Sequence, residues 1–103
     1  FNGLADPRIA RALVVMHQRP AFAWGLELLA QEAGMSRTAF ATKFRETMQR
    51  PPGKYLAAIR LALAQRAVDL GKGLKEAARI AGYENSSALS RALTKARMQS
   101  NLR

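Results

Sequence analysis

Two stretches of this chain set arginine among serine, threonine and alanine at helical spacing, with no carboxylate on the shared face. At 100° per residue, Arg37, Thr38, Ala41, Thr42 and Arg45 fall on one side of a helix, largely apart from Phe40 and Phe44. Adding 49 to each number gives Ser86, Ser87, Ser90, Arg91 and Thr94, which again share a face apart from Leu89 and Leu93. These residue types suit close approach to the edges of nucleic-acid bases. Arginine reaches guanine with two parallel hydrogen bonds, serine and threonine adapt to either partner, and alanine or the threonine methyl touches a thymine methyl. The candidate base contacts are therefore Arg37, Thr38, Ala41, Thr42, Arg45, Ser86, Ser87, Ser90 and Arg91. Ser36, Lys43, Lys54, Arg60 and Lys95, with Arg66, are candidates for phosphate.

The charge balance agrees with that chemistry. Seventeen lysines and arginines against seven acids give a net charge of +10 and a pI near 11.4 on 103 residues. Twelve of the 17 cations are arginine, the side chain fitted to bidentate phosphate and guanine contacts. The acids are unevenly placed: residues 86–103 contain none. Such an excess on a small domain is the footprint of a polyanionic partner.

Helices must position these faces, because Ala, Leu, Arg, Gln and Glu dominate and no strand-like alternation occurs. The first should open at Asp6–Pro7, with Asp6 as N-cap, bury Ile9, Leu13, Val14 and Met16, and end before Pro20. Trp24, in the connector, should pack on the next helix. That helix, about 25–33, should bury Leu26, Leu29 and Ala30 and expose Glu27 and Glu32. After it, Ser36 caps a helix running to about Gln49, which buries Phe40, Phe44 and Met48. Pro51–Pro52–Gly53 enforces a break. A helix over roughly 53–70 then buries Tyr55, Leu56, Ile59, Leu63 and Val68 and stops at Gly71–Gly73. Short helices over about 74–81 and 86–96 follow, the latter capped by Asn85 with Leu89 and Leu93 inward, and residues 97–103 are expected to fray.

The pattern Ala30–Gln31–Glu32–Ala33–Gly34–Met35 is echoed 48 positions later as Ala78–Arg79–Ile80–Ala81–Gly82–Tyr83. An alanine four residues before a glycine lets two helices meet closely, and the glycine supplies the left-handed turn that ends the first. The turn offset is 48 and the face offset 49, so the second turn is one residue longer. The helix between the proline break and Gly71 would span roughly 27 Å for its ~18 residues. A rod of that length could hold two recognition helices about one DNA turn, ~34 Å, apart. The fold expected is all-α and homeodomain-like: a helix-turn-helix subdomain over 1–51, a linker helix over 52–71 and a second helix-turn-helix subdomain over 72–103.

This order resembles the DNA-binding domain of AraC/XylS-family transcriptional regulators. The resemblance rests on Leu29 through Arg37, on Phe40 and Phe44, and on Pro52–Gly53–Lys54–Tyr55–Leu56 with Arg60. It continues through Ala77–Ala78, Ile80–Ala81–Gly82–Tyr83–Glu84 and Leu89–Ser90–Arg91, covering about residues 5–95. It implies a bacterial regulator whose upstream part senses a ligand or dimerises, with double-stranded DNA as partner and RNA polymerase as a further one. Base readers implied by the family are Arg37, Thr38, Ala41 and Thr42 in one helix and Ser86, Ser87 and Arg91 in the other. The chain departs from the family at Leu89 and Leu93, where phenylalanines are usual. Residues 94–103 lack the Gly-x-Ser-Pro segment and closing aromatic, and Gly25 and Gly73 replace capping Ser or Thr. These departures imply a less firmly packed second half, weaker DNA contacts from it, or a disordered tail.

Other chemistry finds little support. Cysteine is absent, and the single histidine, His17, has no ligand-like neighbour in sequence. No phosphate loop or nucleophile–base pair is present, so neither catalysis, cofactor nor metal is expected. The four methionines read as core filling. No apolar run approaches the ~20 residues of a membrane span, which suggests a soluble, cytoplasmic protein, and Phe1 suggests a fragment of a longer chain. A helical module for an acidic partner protein, or a non-specific nucleic-acid condenser, would use the same charge. The repeated turn favours a sequence-specific reader of DNA.

Overall fold

The computed structural model describes residues 6–101, all of whose regular structure is helical. In chain order the helices are α1 (Pro7–Gln18), α2 (Leu26–Ala33), α3 (Arg37–Met48), α4 (Pro52–Asp69), α5 (Leu74–Ala81) and α6 (Ser86–Asn101). The chain divides into two compact units, one through Ala57 and the other from Ala58, so the division falls inside α4. No helix among the described residues is long and apolar enough to cross a membrane.

In the first unit, α1 starts where Asp6 Oδ1 accepts from Arg8 N at 2.9 Å and Pro7 takes the opening helical position. Ile9, Ala12, Leu13 and Met16 follow at i, i+3, i+4 and i+7 and are buried. Val14, one residue beyond Leu13 and so 100° further round, is 50% exposed and not part of that stripe. From α2 the core takes Leu29, Ala30 and Ala33, whereas Leu26, in the opening turn at the edge of the packing, remains 40% exposed. Phe40 and Phe44 of α3 complete it, their ring centroids 5.6 Å apart, with Leu56 from the start of α4. Met48 is only half-buried, one turn past the two rings. Trp24 Nε1 donates to Arg19 O at 2.8 Å, and its ring lies 4.6 Å from Phe22. Leu28, Gln31 and Glu32 of α2 line the same shallow depression.

Between α3 and α4 the break comes at residues 49–51. Gln49 takes the left-handed conformation at φ 64°, and Pro52 is the first residue of α4, where a missing N–H costs nothing.

Alanine builds the second core: Ala64 and Ala67 of α4, Ala77, Ala78 and Ala81 of α5, and Leu89 of α6. Leu63, Val68, Ile80, Tyr83 and Leu93 pack around it half-buried. The expected α4 stripe is thus corrected. Toward the second unit its fully covered positions are the small alanines, and Ile59, Leu63 and Val68 lie at the margin, as Tyr55 does in the first. Among the described residues Leu89 is the only large side chain of this unit that is fully buried, against Ile9, Met16, Phe40 and Phe44 in the first. α6 does not stop near 96: nothing from Ala96 to Asn101 breaks a helix, and it runs on to Asn101. The fraying expected of 97–101 is not found, and residues 102–103 lie outside the described part.

Candidate nucleic-acid interface

Each face begins at a capped turn. α2 ends on Gly34 at φ 70° and α5 on Gly82 at φ 89°, the left-handed positions that the repeated alanine-to-glycine spacing requires. Three residues separate α2 from α3 and four separate α5 from α6, so the second turn is the longer. Ser36 Oγ accepts from Ala39 N at 3.2 Å and Asn85 Oδ1 from Ala88 N at 2.8 Å. Both caps satisfy an N-terminal amide that would otherwise lack a partner. Neither glycine before α2 and α5, Gly25 or Gly73, gives a side-chain cap.

Electrostatics separate the two helices of each pair. The first turns of α2 and α5 carry Glu27 and Glu76, whereas the first turns of α3 and α6 carry no acid. The positive ends of α3 and α6 therefore stay uncompensated by their own side chains, as a helix addressing an anion requires. Arg37, Thr38, Thr42 and Arg45 are exposed on α3, with Ala41 half-buried beside them. On α6, Ser87, Ser90, Arg91 and Thr94 are exposed and Ser86 is half-buried. Each set is continuous on its own helix, away from Phe40 and Phe44 or from Leu89, which are buried.

The remaining cations differ in placement. Lys54, in the first turn of α4, is exposed, as are Arg66 and Lys95. Ser36 is exposed, and its oxygen serves as the α3 cap. Lys43 is half-buried and lies roughly 170° around α3 from the centre of the Arg37–Arg45 face. Arg60 is half-buried, with its charge acting on Tyr83: burial pushes the Tyr83 hydroxyl up, and the Arg60 guanidinium partly offsets this. That placement suits a structural pair within the fold as well as a phosphate contact. Arg79 is tied to Glu76 in an exposed ion pair, whose hydrogen bond holds the Glu76 carboxyl below its ordinary range. His17 is exposed, 2.9 Å from the Tyr55 hydroxyl. No group of acids and histidines able to hold a metal occurs among the described residues.

One residue of this surface was hidden in the sequence. Met98, expected in the core, is 62% exposed. Because α6 continues past residue 96, Met98 falls on the same side as Ser87, Arg91 and Thr94, and it lines a shallow depression with Ser90, Arg91, Thr94 and Lys95. The unbroken run of residues without Gly or Pro after Ala92 was the available signal.

Two units, each containing a pair of helices joined by a short glycine turn whose second helix presents a carboxylate-free polar face, define a double helix-turn-helix domain. The chain belongs to the helix-turn-helix domain family, whose model matches residues 29–100, and it is of the AraC type. It is 40% identical over 89 residues to a putative AraC-like transcription regulator of Streptomyces lividans, covering 85% of this chain and 29% of that protein. With the HTH-type transcriptional regulator AlkR of Acinetobacter baylyi it shares 33% identity over 93 residues, 89% of this chain and 30% of AlkR. The chain thus spans under a third of the length of these relatives. It also superposes on the crystal structure of the DNA-binding domain of AdpA, a global transcriptional factor, in complex with a target DNA. That match has a TM-score of 0.80 and 26% identity over 87% of this chain and 81% of the other.

Proposed function

We propose that this chain is the sequence-specific, double-stranded DNA-binding domain of a bacterial transcription regulator, with α3 and α6 as its recognition helices. The observation that carries the proposal is the pair of exposed, carboxylate-free faces on α3 and α6, each led by a capped and acid-free helix start. The AdpA domain, of the same fold, was crystallised with a target DNA.

In this reading the recognition helices enter successive major-groove segments. Arg37 and Arg45 on α3 and Arg91 on α6 bind base edges, each good bidentate contact contributing ~1–3 kcal/mol of discrimination. Thr38, Ala41 and Thr42, with Ser86, Ser87 and Ser90, fill the space beside them without introducing negative charge. Ser36, Lys54 and Lys95 fix the register on phosphates, which carries no sequence information; Lys43 and Arg60 are the weaker members of that set. The rest of a regulator the length of the relatives would supply effector sensing or dimerisation, and contacts with RNA polymerase, in the cytoplasm.

A salt titration on duplex DNA tests the polyanion part of the reading. The logarithm of the affinity should fall linearly with the logarithm of salt, at a slope of about −0.9 per phosphate neutralised. A flat dependence would place the basic surface against something other than DNA.

A further inference from the structure

Arg11, on α1, is not on either recognition helix, yet it completes the end of the helix that precedes the first one. A helix leaves its last four carbonyls without partners inside the helix. In α2 these belong to Ala30, Gln31, Glu32 and Ala33. The turn itself satisfies two of them: Met35 N donates to Ala30 O at 2.9 Å and Gly34 N to Gln31 O at 3.0 Å. The other two are met from 21 and 22 residues away. Arg11 Nε donates to Glu32 O at 3.3 Å and Arg11 Nη2 to Ala33 O at 3.1 Å. Every terminal carbonyl of α2 is thereby accounted for.

The charge matters as much as the bonds. The last turn of α2 contains no cation and does contain Glu32, the wrong sign for the negative end of a helix. α5, by contrast, brings Arg79 in its own last turn. Arg11 therefore supplies from α1 the positive group that α2 lacks. It does so at the turn that fixes where α3 begins, since Ala33 is followed by Gly34, Met35 and the Ser36 cap. A planar guanidinium offers two donors in fixed geometry, which a lysine ammonium does not.

We propose that Arg11 is a positioning residue for the first recognition helix: it locks the α2–α3 turn so that Arg37 and Thr38 meet their bases in register. This rests on the DNA-binding reading above. The test uses duplexes selected by the unaltered protein, with Arg37→Ala and Arg91→Ala marking the base positions read by α3 and by α6. Arg11→Met should lose about tenfold in discrimination at the α3 positions, the equivalent of one net hydrogen bond to a charged group. The α6 positions should hold their preference. Arg11→Lys, which keeps the charge but not the rigid two-donor fork, should recover part of the loss at the same positions, and it carries the comparison if Arg11→Met fails to fold. Equal loss at both sets of positions, or none, overturns the proposal. So does a uniform weakening with a shallower salt slope, which would make Arg11 a phosphate contact. If the unaltered protein itself shows no preference among duplexes, the DNA-reading assignment fails rather than the role of Arg11.

Discussion

Phe44 stands nearly perpendicular to Tyr55, their ring centroids 5.6 Å apart and their planes at 78°. This edge-to-face pair joins the later part of α3 to the start of α4, and Phe44 is fully buried where Tyr55 is not. Such pairs contribute ~0.5–1.5 kcal/mol beyond area burial. Phe44→Ala should cost ~3–5 kcal/mol, through the cavity as well as the lost ring contact. Denaturant unfolding measures it. A change near zero would mean that the α3–α4 junction is not packed as described.

Leu89→Ala, in the other core, should cost ~2–5 kcal/mol. It removes the one large side chain fully buried there among the described residues, in a core whose other buried members are alanines. Amide exchange should show the loss in residues 74–96 and leave α1 to α3 as protected as before. Loss spread evenly over both units would contradict two separate cores.

Gly34 isolates backbone conformation from space. A Cβ there would meet Arg11 Nη2 at 3.7 Å, an ordinary contact, but φ is 70°. Gly34→Ala should therefore cost ~1–2 kcal/mol from the left-handed conformation alone. Gly34→Asn should cost less, because asparagine tolerates that region. Equal costs for the two would show that crowding, not conformation, reserves the position for glycine.

The turns, caps and helix order were legible in the sequence because each depends on residues a few positions apart: Ala30 with Gly34, Ser36 with Ala39, Asn85 with Ala88. So was the exposure of the polar faces of α3 and α6, whose periodicity is local. What could not be read depends on distance in the chain. Nothing in the sequence tells that Arg11 bonds Glu32 and Ala33. Leu26 shares the angle of the buried stripe and still lies at its edge. The tail differs from expectation for another reason: it lacks a closing motif after Thr94, yet residues 95–101 contain nothing that ends a helix, and α6 continues through them.

Asp6 links helix start to pH. Its hydrogen bond from the Arg8 side chain, with others from the backbone, holds the carboxyl at about 2 against an ordinary 3.8. A carboxyl lowered on folding contributes stability above its unfolded value, and that contribution is lost as pH falls through the folded one. Thermal melts should therefore show an Asp6-dependent loss only between about pH 4 and 2. Asp6→Asn keeps an N-capping oxygen and should remove this part of the pH dependence. An unchanged profile in that variant would assign the acid sensitivity to other carboxylates.

Arg91 and Lys54 should part company when truncated. Arg91→Ala should relax one base position by ~1–3 kcal/mol, and Lys54→Ala should weaken all duplexes alike and reduce the salt slope by about 1. Competition binding at two salt concentrations separates the two patterns. If Arg91→Ala behaves as Lys54→Ala, Arg91 is a phosphate contact.

The measurement closest to the central claim is selection of binding sites from random duplexes by this chain alone, followed by affinity for the recovered site against a random sequence. A two-part site should emerge, bound at least ~10³-fold more tightly than random duplex at physiological salt. Recovery of no common sequence, with equal affinity for both duplexes, would contradict a sequence-specific reader and leave a basic helical surface without base recognition.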